Sequence, residues 1–283
     1  MSLCLVPRSA IPPQPVVRIG PARFNHVECA PAPALAPFVD HYWVSRWDRR
    51  GAPPRDAASL LDPCVHLQVE NGDARLMGVL RSAYRIRIEG EGSIVGVKFR
   101  PGGFHPFVNR DVSAWTDRVV AVNDVLPATS GDRVTWASEL TTAIVECIGD
   151  GAAHAALAAA HLDAFLAARL PARDATAEHV AELVALIAGN AHLRRIGDLV
   201  EASGRSERTL HRLFGRYVGA SPSWVIRRYR LKAAAQQLTA TPPADVRTLA
   251  WDTGYADQAH FIRDFRATVG MTPGEYVHAR TLR

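Results

Sequence analysis

Ile196-Gly197-Asp198-Leu199-Val200-Glu201-Ala202-Ser203-Gly204, followed by Ser206-Glu207-Arg208-Thr209-Leu210-His211-Arg212-Leu213-Phe214, is the stretch that decides how this chain is read. It holds a short helix, a glycine able to take the left-handed conformation at a helix end, and a second helix opened by Ser206, whose hydroxyl can accept the Thr209 N–H. On the second helix Leu210, Leu213, Phe214 and Tyr217 share one face at i, i+3, i+4 and i+7. Arg208, His211, Arg212 and Gly215 fall on another. An apolar back and a cationic front describe the recognition helix of a helix-turn-helix unit.

The pattern occurs twice. Leu199 and Gly204 pair with Leu249 and Gly254 at an offset of 50. Leu210, Arg212, Phe214, Gly219 and Pro222 pair with Phe261, Arg263, Phe265, Gly270 and Pro273 at an offset of 51, so one residue is inserted in the second turn. In the second copy Asp257 caps a helix with Phe261, Phe265 and Val269 inside, and Gln258, Ala259, His260, Arg263 and Arg266 on or near the outside. One copy alone reads equally well as a helical hairpin in a core. Two copies with arginine at the equivalent outward position point to a tandem pair. Between them, Ser221 to Leu238 reads as a helix capped by Ser221 with Pro222 in its first turn. About 18 residues at ~1.5 Å each make a rod of roughly 27 Å. Such a rod holds two reading heads near one DNA turn, ~34 Å, apart.

The segments Gly254-Tyr255, Asp257-Gln258-Ala259-His260-Phe261, Arg263-Asp264-Phe265-Arg266 and Gly270-Met271-Thr272-Pro273-Gly274-Glu275-Tyr276 resemble the C-terminal signature of AraC/XylS-family transcription regulators. Arg230-Leu231-Lys232-Ala233-Ala234 on the linker helix shares the resemblance, which spans about residues 178–280. It implies sequence-specific reading of double-stranded DNA by Arg208, His211 and Arg212 in the first unit, and by Gln258, Ala259, His260 and Arg263 in the second. Ala259 departs from the polar residue often found there and can touch only a thymine methyl. By the same analogy the chain is expected to activate rather than repress and to contact RNA polymerase; a small-molecule effector and a homodimer are compatible with the architecture, and the sequence decides neither.

Charge agrees with a polyanion partner for this region. The 283 residues carry a net charge of +5. From Glu178 to Arg283 there are 15 basic and 10 acidic residues, which leaves 18 of each before it, so all the excess lies in the last third. Of the 33 basic residues only Lys98 and Lys232 are lysines, a bias attributable to genome composition. Hydrophobic residues make up 48% and charged residues 22%, which is globular composition and excludes a wholly disordered chain. No run of 18 apolar residues suggests a membrane span. Residues 1–23 hold five prolines and read as a mobile extension without signal or transit character, so a cytoplasmic location is expected. Cys4, Cys29, Cys64 and Cys147 are far apart, and reduced thiols are expected.

Upstream, Val39–Val44, Cys64–Val69, Tyr84–Ile88 and Ser93–Phe99 read as short strands separated by turns at Asn71-Gly72-Asp73 and Glu89-Gly90-Glu91-Gly92. The chain is therefore an α+β multidomain protein. A mobile extension (1–23) precedes a β-barrel, cupin-like sensor or dimerisation domain (24–110). A helical connector (111–173) follows, with helices over 134–148 and 152–169 as a bridge or dimerisation surface. The all-α domain with two helix-turn-helix units occupies 174–283. His41-Tyr42-Trp43 to Trp47-Asp48, with Gly96 to Phe104, resembles an uncharacterised N-terminal domain of such regulators. A sensor needs an apolar cavity with a few oriented polar groups, and His41, Trp43, His66 and Arg100 are the candidates for effector binding. A cupin-type metal- or small-molecule-dependent enzyme is the alternative. His41, His66 and His105 with Glu70 are its only candidate ligands, and they lack a close His-x-His pair. No catalytic motif, metal or cofactor is therefore expected.

Overall fold

A computed structural model describes residues 23–70, 73–126, 142, 152–240 and 244–281. The extension before Arg23, the helix expected over 134–148 (apart from residue 142), Cys4 and Cys147 lie outside the described residues. The N-terminal region is antiparallel β and the C-terminal region helical.

Eight strands form two sheets. They are β1 (Arg23–Cys29), β2 (Val39–Asp48), β3 (Arg55–Ser59), β4 (His66–Glu70), β5 (Asp73–Met77), β6 (Tyr84–Ile88), β7 (Glu91–Phe99) and β8 (Val119–Ala121). Six pair in the order β1-β2-β7-β4-β5-β8, and β3 pairs with β6 alone. Side-chain alternation gives the large sheet two apolar faces. Tyr42, Leu67, Val69, Val95, Val97 and Phe99 enter the main core on one face. Trp43, Trp47 and Ile94 point the other way and meet Ala57, Ile86 and Ile88 of the small sheet.

β8 pairs with β5 through Arg75 opposite Ala121 and Met77 opposite Val119, so pairing with the large sheet continues past residue 110. The helix expected from 152 is present as α2 (Ala152–Ala167), after the single turn α1 (His105–Val108). It packs onto the main core through Ala158, Leu162, Phe165 and Leu166. Asp163 fixes it there, accepting from the Tyr42 hydroxyl at 2.6 Å and the Ala32 N–H at 2.9 Å. β1, β3, β5 and β8 were not apparent from propensity: β3, Arg-Asp-Ala-Ala-Ser, becomes a strand because β6 supplies its ladder.

The helical region runs α3 (Ala175–Gly189), α4 (Ile196–Ser203), α5 (Glu207–Leu213), α6 (Pro222–Leu238), α7 (Val246–Asp252), α8 (Gln258–Val269) and α9 (Pro273–Thr281). The internal repeat is geometrical as well as sequential. Gly204 and Gly254 both take positive φ, +63° and +72°, as do Gly219 and Gly270, +91° and +86°. A side chain at any of them would be strained. The paired apolar positions Leu199/Leu249, Leu210/Phe261 and Phe214/Phe265 are fully buried. The copies differ after the recognition helix: α5 continues into a π turn over Phe214–Val218, closed by the Gly219 N–H on the Phe214 carbonyl at 2.8 Å.

The β unit and the helical region share a junction. Asp62, from the loop before β4, is buried between Lys232 of α6, whose Nζ is 2.5 Å from Oδ1, and Lys98 of β7, whose Nζ is 2.8 Å from Oδ2. Lys98 also reaches Asp40 Oδ2 at 3.1 Å. Buried Arg228 donates from Nε to the Leu61 carbonyl at 3.0 Å. Burial alone would push the Asp62 carboxyl up, but the two ammonium groups outweigh it and hold it well below the usual carboxylate range. Removing the shared partner strands buried Lys232 and leaves Lys98 with Asp40 alone, so Asp62→Ala should cost about 3–5 kcal/mol. Lys232→Met leaves Asp62 paired with Lys98 and should cost less, about 1.5–3 kcal/mol. Urea unfolding of the two variants checks this order.

Candidate functional site

The recognition helices are built as their sequences require. Ser206 Oγ accepts the Thr209 N–H at 3.3 Å at the start of α5, and Asp257 Oδ1 accepts the His260 N–H at 2.7 Å at the start of α8. The inserted residue of the second copy lies in its turn, which places both caps at the 51-residue offset. Arg208, His211 and Arg212 on α5 are exposed, as are Gln258, Ala259, His260 and Arg263 on α8. Among the described residues Arg208, Arg212 and Arg263 have no ion-pair partner, which leaves their guanidinium groups available. His211 lies 3.6 Å from Glu207, one turn back. Two exposed cationic helix fronts, each on a buried apolar back, suit major-groove docking and bidentate guanine contacts.

α6 is tied to both units. Ser221 Oγ accepts the Trp224 N–H at 3.3 Å, and Pro222 stands in the first turn as expected. Arg230 donates to the Arg194 carbonyl at 3.0 Å and lies over the Tyr255 ring at 4.8 Å. The Tyr255 hydroxyl donates to Asp264 of α8 at 2.8 Å, and Arg227 reaches the same carboxylate at 3.4 Å. The long helix therefore fixes the two units relative to each other through side chains that amphipathic patterning alone did not mark.

The second feature is a cavity of about 150 Å³ between the two sheets. Trp43, Trp47, Ile86, Ile88 and Ile94 give it apolar walls, with His41, His66, Gln68 and Lys98 as polar lining and Glu28 and His26 also on its border. Gly96 and Gly92 make room for the indoles: a Cβ at either would lie 2.4 Å from the ring of Trp43 or Trp47. Three of the four expected effector residues, His41, Trp43 and His66, border this cavity. Arg100 does not. The strand ends at Phe99, and Arg100 turns away to donate from Nε to the Ala36 carbonyl at 2.7 Å. The other residues considered as metal ligands scatter: Glu70 does not line the cavity, and His105 stacks 4.1 Å from the Tyr217 ring at the domain junction. Lys98, Ile86 and Ile88 were not in the expected site, because sequence does not show which strands face each other.

His66 is 4% exposed and its Nε2 is 3.5 Å from Cys64 Sγ, while its Nδ1 has no hydrogen-bond partner among the described residues. Burial, with the Lys98 charge adding, pushes its pKa down to about 3, so the ring is neutral. Burial likewise pushes the Cys64 thiol up.

The paired units define a tandem helix-turn-helix protein. Residues 199–279 match a family described as a helix-turn-helix domain, and residues 27–121 match a domain of unknown function, DUF6597. The C-terminal domain is of the AraC type. An 89-residue segment is 39% identical to the transcriptional activator NphR of a Rhodococcus species, covering 30% of this chain and 25% of that protein. The chain thus matches about a quarter of the length of this curated relative. Two crystal structures of ToxT from Vibrio cholerae are also similar. An apo form has a TM-score of 0.43 at 12% identity, covering 91% of this chain and 97% of that one. A 1.65 Å structure has 0.41 at 9% identity, covering 91% and 98%.

The neutral His66 has a consequence for stability. Between its ordinary pKa of 6.5 and about 3, the unfolded chain binds a proton that the folded chain does not. Stability from this group therefore falls as pH falls, by about 1.4 kcal/mol per pH unit within that window. His66→Leu should remove one proton's worth of slope, measured as unfolding free energy between pH 4 and 6.

Proposed function

We propose that this chain is a sequence-specific DNA-binding transcription regulator. It would read two successive major-groove segments, with α5 carrying Arg208, His211 and Arg212 and α8 carrying Gln258, Ala259, His260 and Arg263. The observation that carries this reading is the repeated unit: equivalent glycines, caps and buried pairs, with Arg212 and Arg263 exposed at equivalent positions on both copies. The excess positive charge of this region favours association with the phosphate backbone. The segment shared with a protein named as a transcriptional activator supports activation. In this reading RNA polymerase is a partner and the cytoplasm the place of action.

The cavity of the β unit serves in this reading as the effector site, with His41, Trp43 and His66 as contact residues. A cupin-type metal enzyme is less well supported. His41 Nδ1 lies 3.1 Å from Asp40 and His66 Nε2 lies against Cys64, so neither ring is free at both nitrogens. Among the described residues no group of three metal-ligating side chains occurs.

Arg212→Ala and Arg263→Ala should each weaken binding to the operator by about 1–3 kcal/mol if each makes a bidentate guanine contact. The operator is first selected from random DNA by the wild-type protein. Fluorescence anisotropy then compares it with unrelated DNA. A sequence-dependent loss supports base reading, an equal loss on both DNAs assigns phosphate contacts, and no loss removes these residues from the interface.

A further inference from the structure

The only two lysines of the chain meet at one buried carboxylate, and one of them borders the cavity. The cavity borders an unfilled requirement as well: His66 in its lining is buried, its Nδ1 has no partner among the described residues, and a buried nitrogen without a partner is costly. A cavity of about 150 Å³ with apolar walls has room for one aromatic ring. The charged groups that border it already face partners. Lys98 touches Asp62 at 2.8 Å and Asp40 at 3.1 Å, and Glu28 lies 3.5 Å from His26 and 3.8 Å from His41. A ligand bringing its own charge would bury it without a counterion.

We infer that the cavity takes a small uncharged molecule built on one aromatic ring, packed against Trp43 and Trp47 and hydrogen-bonded to His66 Nδ1, and that its occupancy reaches α6 through Lys98, Asp62 and Lys232. This deepens the effector reading given above and rests on it. A hydroxyl on the ring suits either tautomer of His66, since it donates and accepts. If the Cys64 thiol donates to Nε2, Nδ1 carries the proton and the hydroxyl accepts it. If Nε2 carries the proton, the hydroxyl donates. The route outward is a chain of direct contacts. Lys98 borders the cavity, its Nζ touches Asp62 at 2.8 Å, and the second oxygen of Asp62 holds Lys232. Lys232 lies in the helix that joins the two helix-turn-helix units. A ligand that alters the position of Lys98 alters the seat of that helix, to the extent that it binds one arrangement better than the other.

The test uses the full chain and four probes of similar size: p-cresol, toluene, 4-methylbenzoate and 4-methylbenzylamine. Calorimetry should show p-cresol binding at least tenfold tighter than either charged probe. His66→Leu should reduce p-cresol to the affinity of toluene and leave toluene unchanged. Hydrogen exchange of the α6 amides should change at least twofold when p-cresol binds to wild type. It should not change in Lys232→Met, which still binds p-cresol; Asp62→Asn, which keeps the shape of the junction, is the second variant. Equal or tighter binding of a charged probe, or no binding by any of the four, would overturn the ligand assignment. Unaltered α6 exchange in wild type, or the same change in both variants, would overturn the route. Neither measurement contains DNA, so a protein that passes both and binds no DNA would refute the regulator reading alone.

Discussion

Asp62 between Lys98 and Lys232 is the interaction on which the arrangement of the two regions depends. Three charges are buried where sheet, loop and linker helix meet, and each is tolerable only because the others are present. The compact ammonium of lysine suits this place. It can sit between two carboxylates with donors pointing several ways, whereas the planar fork of arginine imposes one geometry. In a chain whose other basic residues are all arginine, both lysines lie at this junction. The lysine content, attributable to composition when read along the sequence, acquires a structural reason in three dimensions.

Around that junction the β unit contacts both halves of the helical region. Thr116 donates its hydroxyl to the Gly219 carbonyl at 2.5 Å, at the end of the first unit, and the Arg85 guanidinium lies against Gly270, at the end of the second. These two glycines are equivalent in the repeat. The β unit therefore touches the same position of each copy with a different side chain. The outward faces of α5 and α8 stay exposed while the ends of both units are held by the N-terminal region.

The cavity depends on the same sheet. Alternation sends Tyr42, Val97 and Leu67 to the core under α2, and their neighbours Trp43, Lys98 and His66 to the cavity. A shift of one residue in any of these strands would exchange the two sets. Gly92 and Gly96 hold the register's shape, because the indoles of Trp47 and Trp43 lie where side chains on β7 would stand.

The helix-turn-helix region was largely legible in the sequence, because its signals are local: caps at Ser206, Ser221 and Asp257, glycines at the turns, and apolar residues at helical spacing. These act within a few residues, and the duplication repeated them. Four of the strands were readable from β-branched and aromatic runs, but β1, β3 and β8 were not, since ladder partners distant in the chain make them strands, and β5 pairs with the adjacent β4. For the same reason the sequence singled out His41, Trp43 and His66 as polar or aromatic candidates but did not mark Lys98, which borders the same cavity, while Arg100 does not. Sequence by itself determined the tandem units and their outward residues, which depend on short-range periodicity. Only the tertiary structure decided the seat of α2 on the β core, the cavity and the Lys98–Asp62–Lys232 bridge, because each is made by residues that meet through the packing of separate elements.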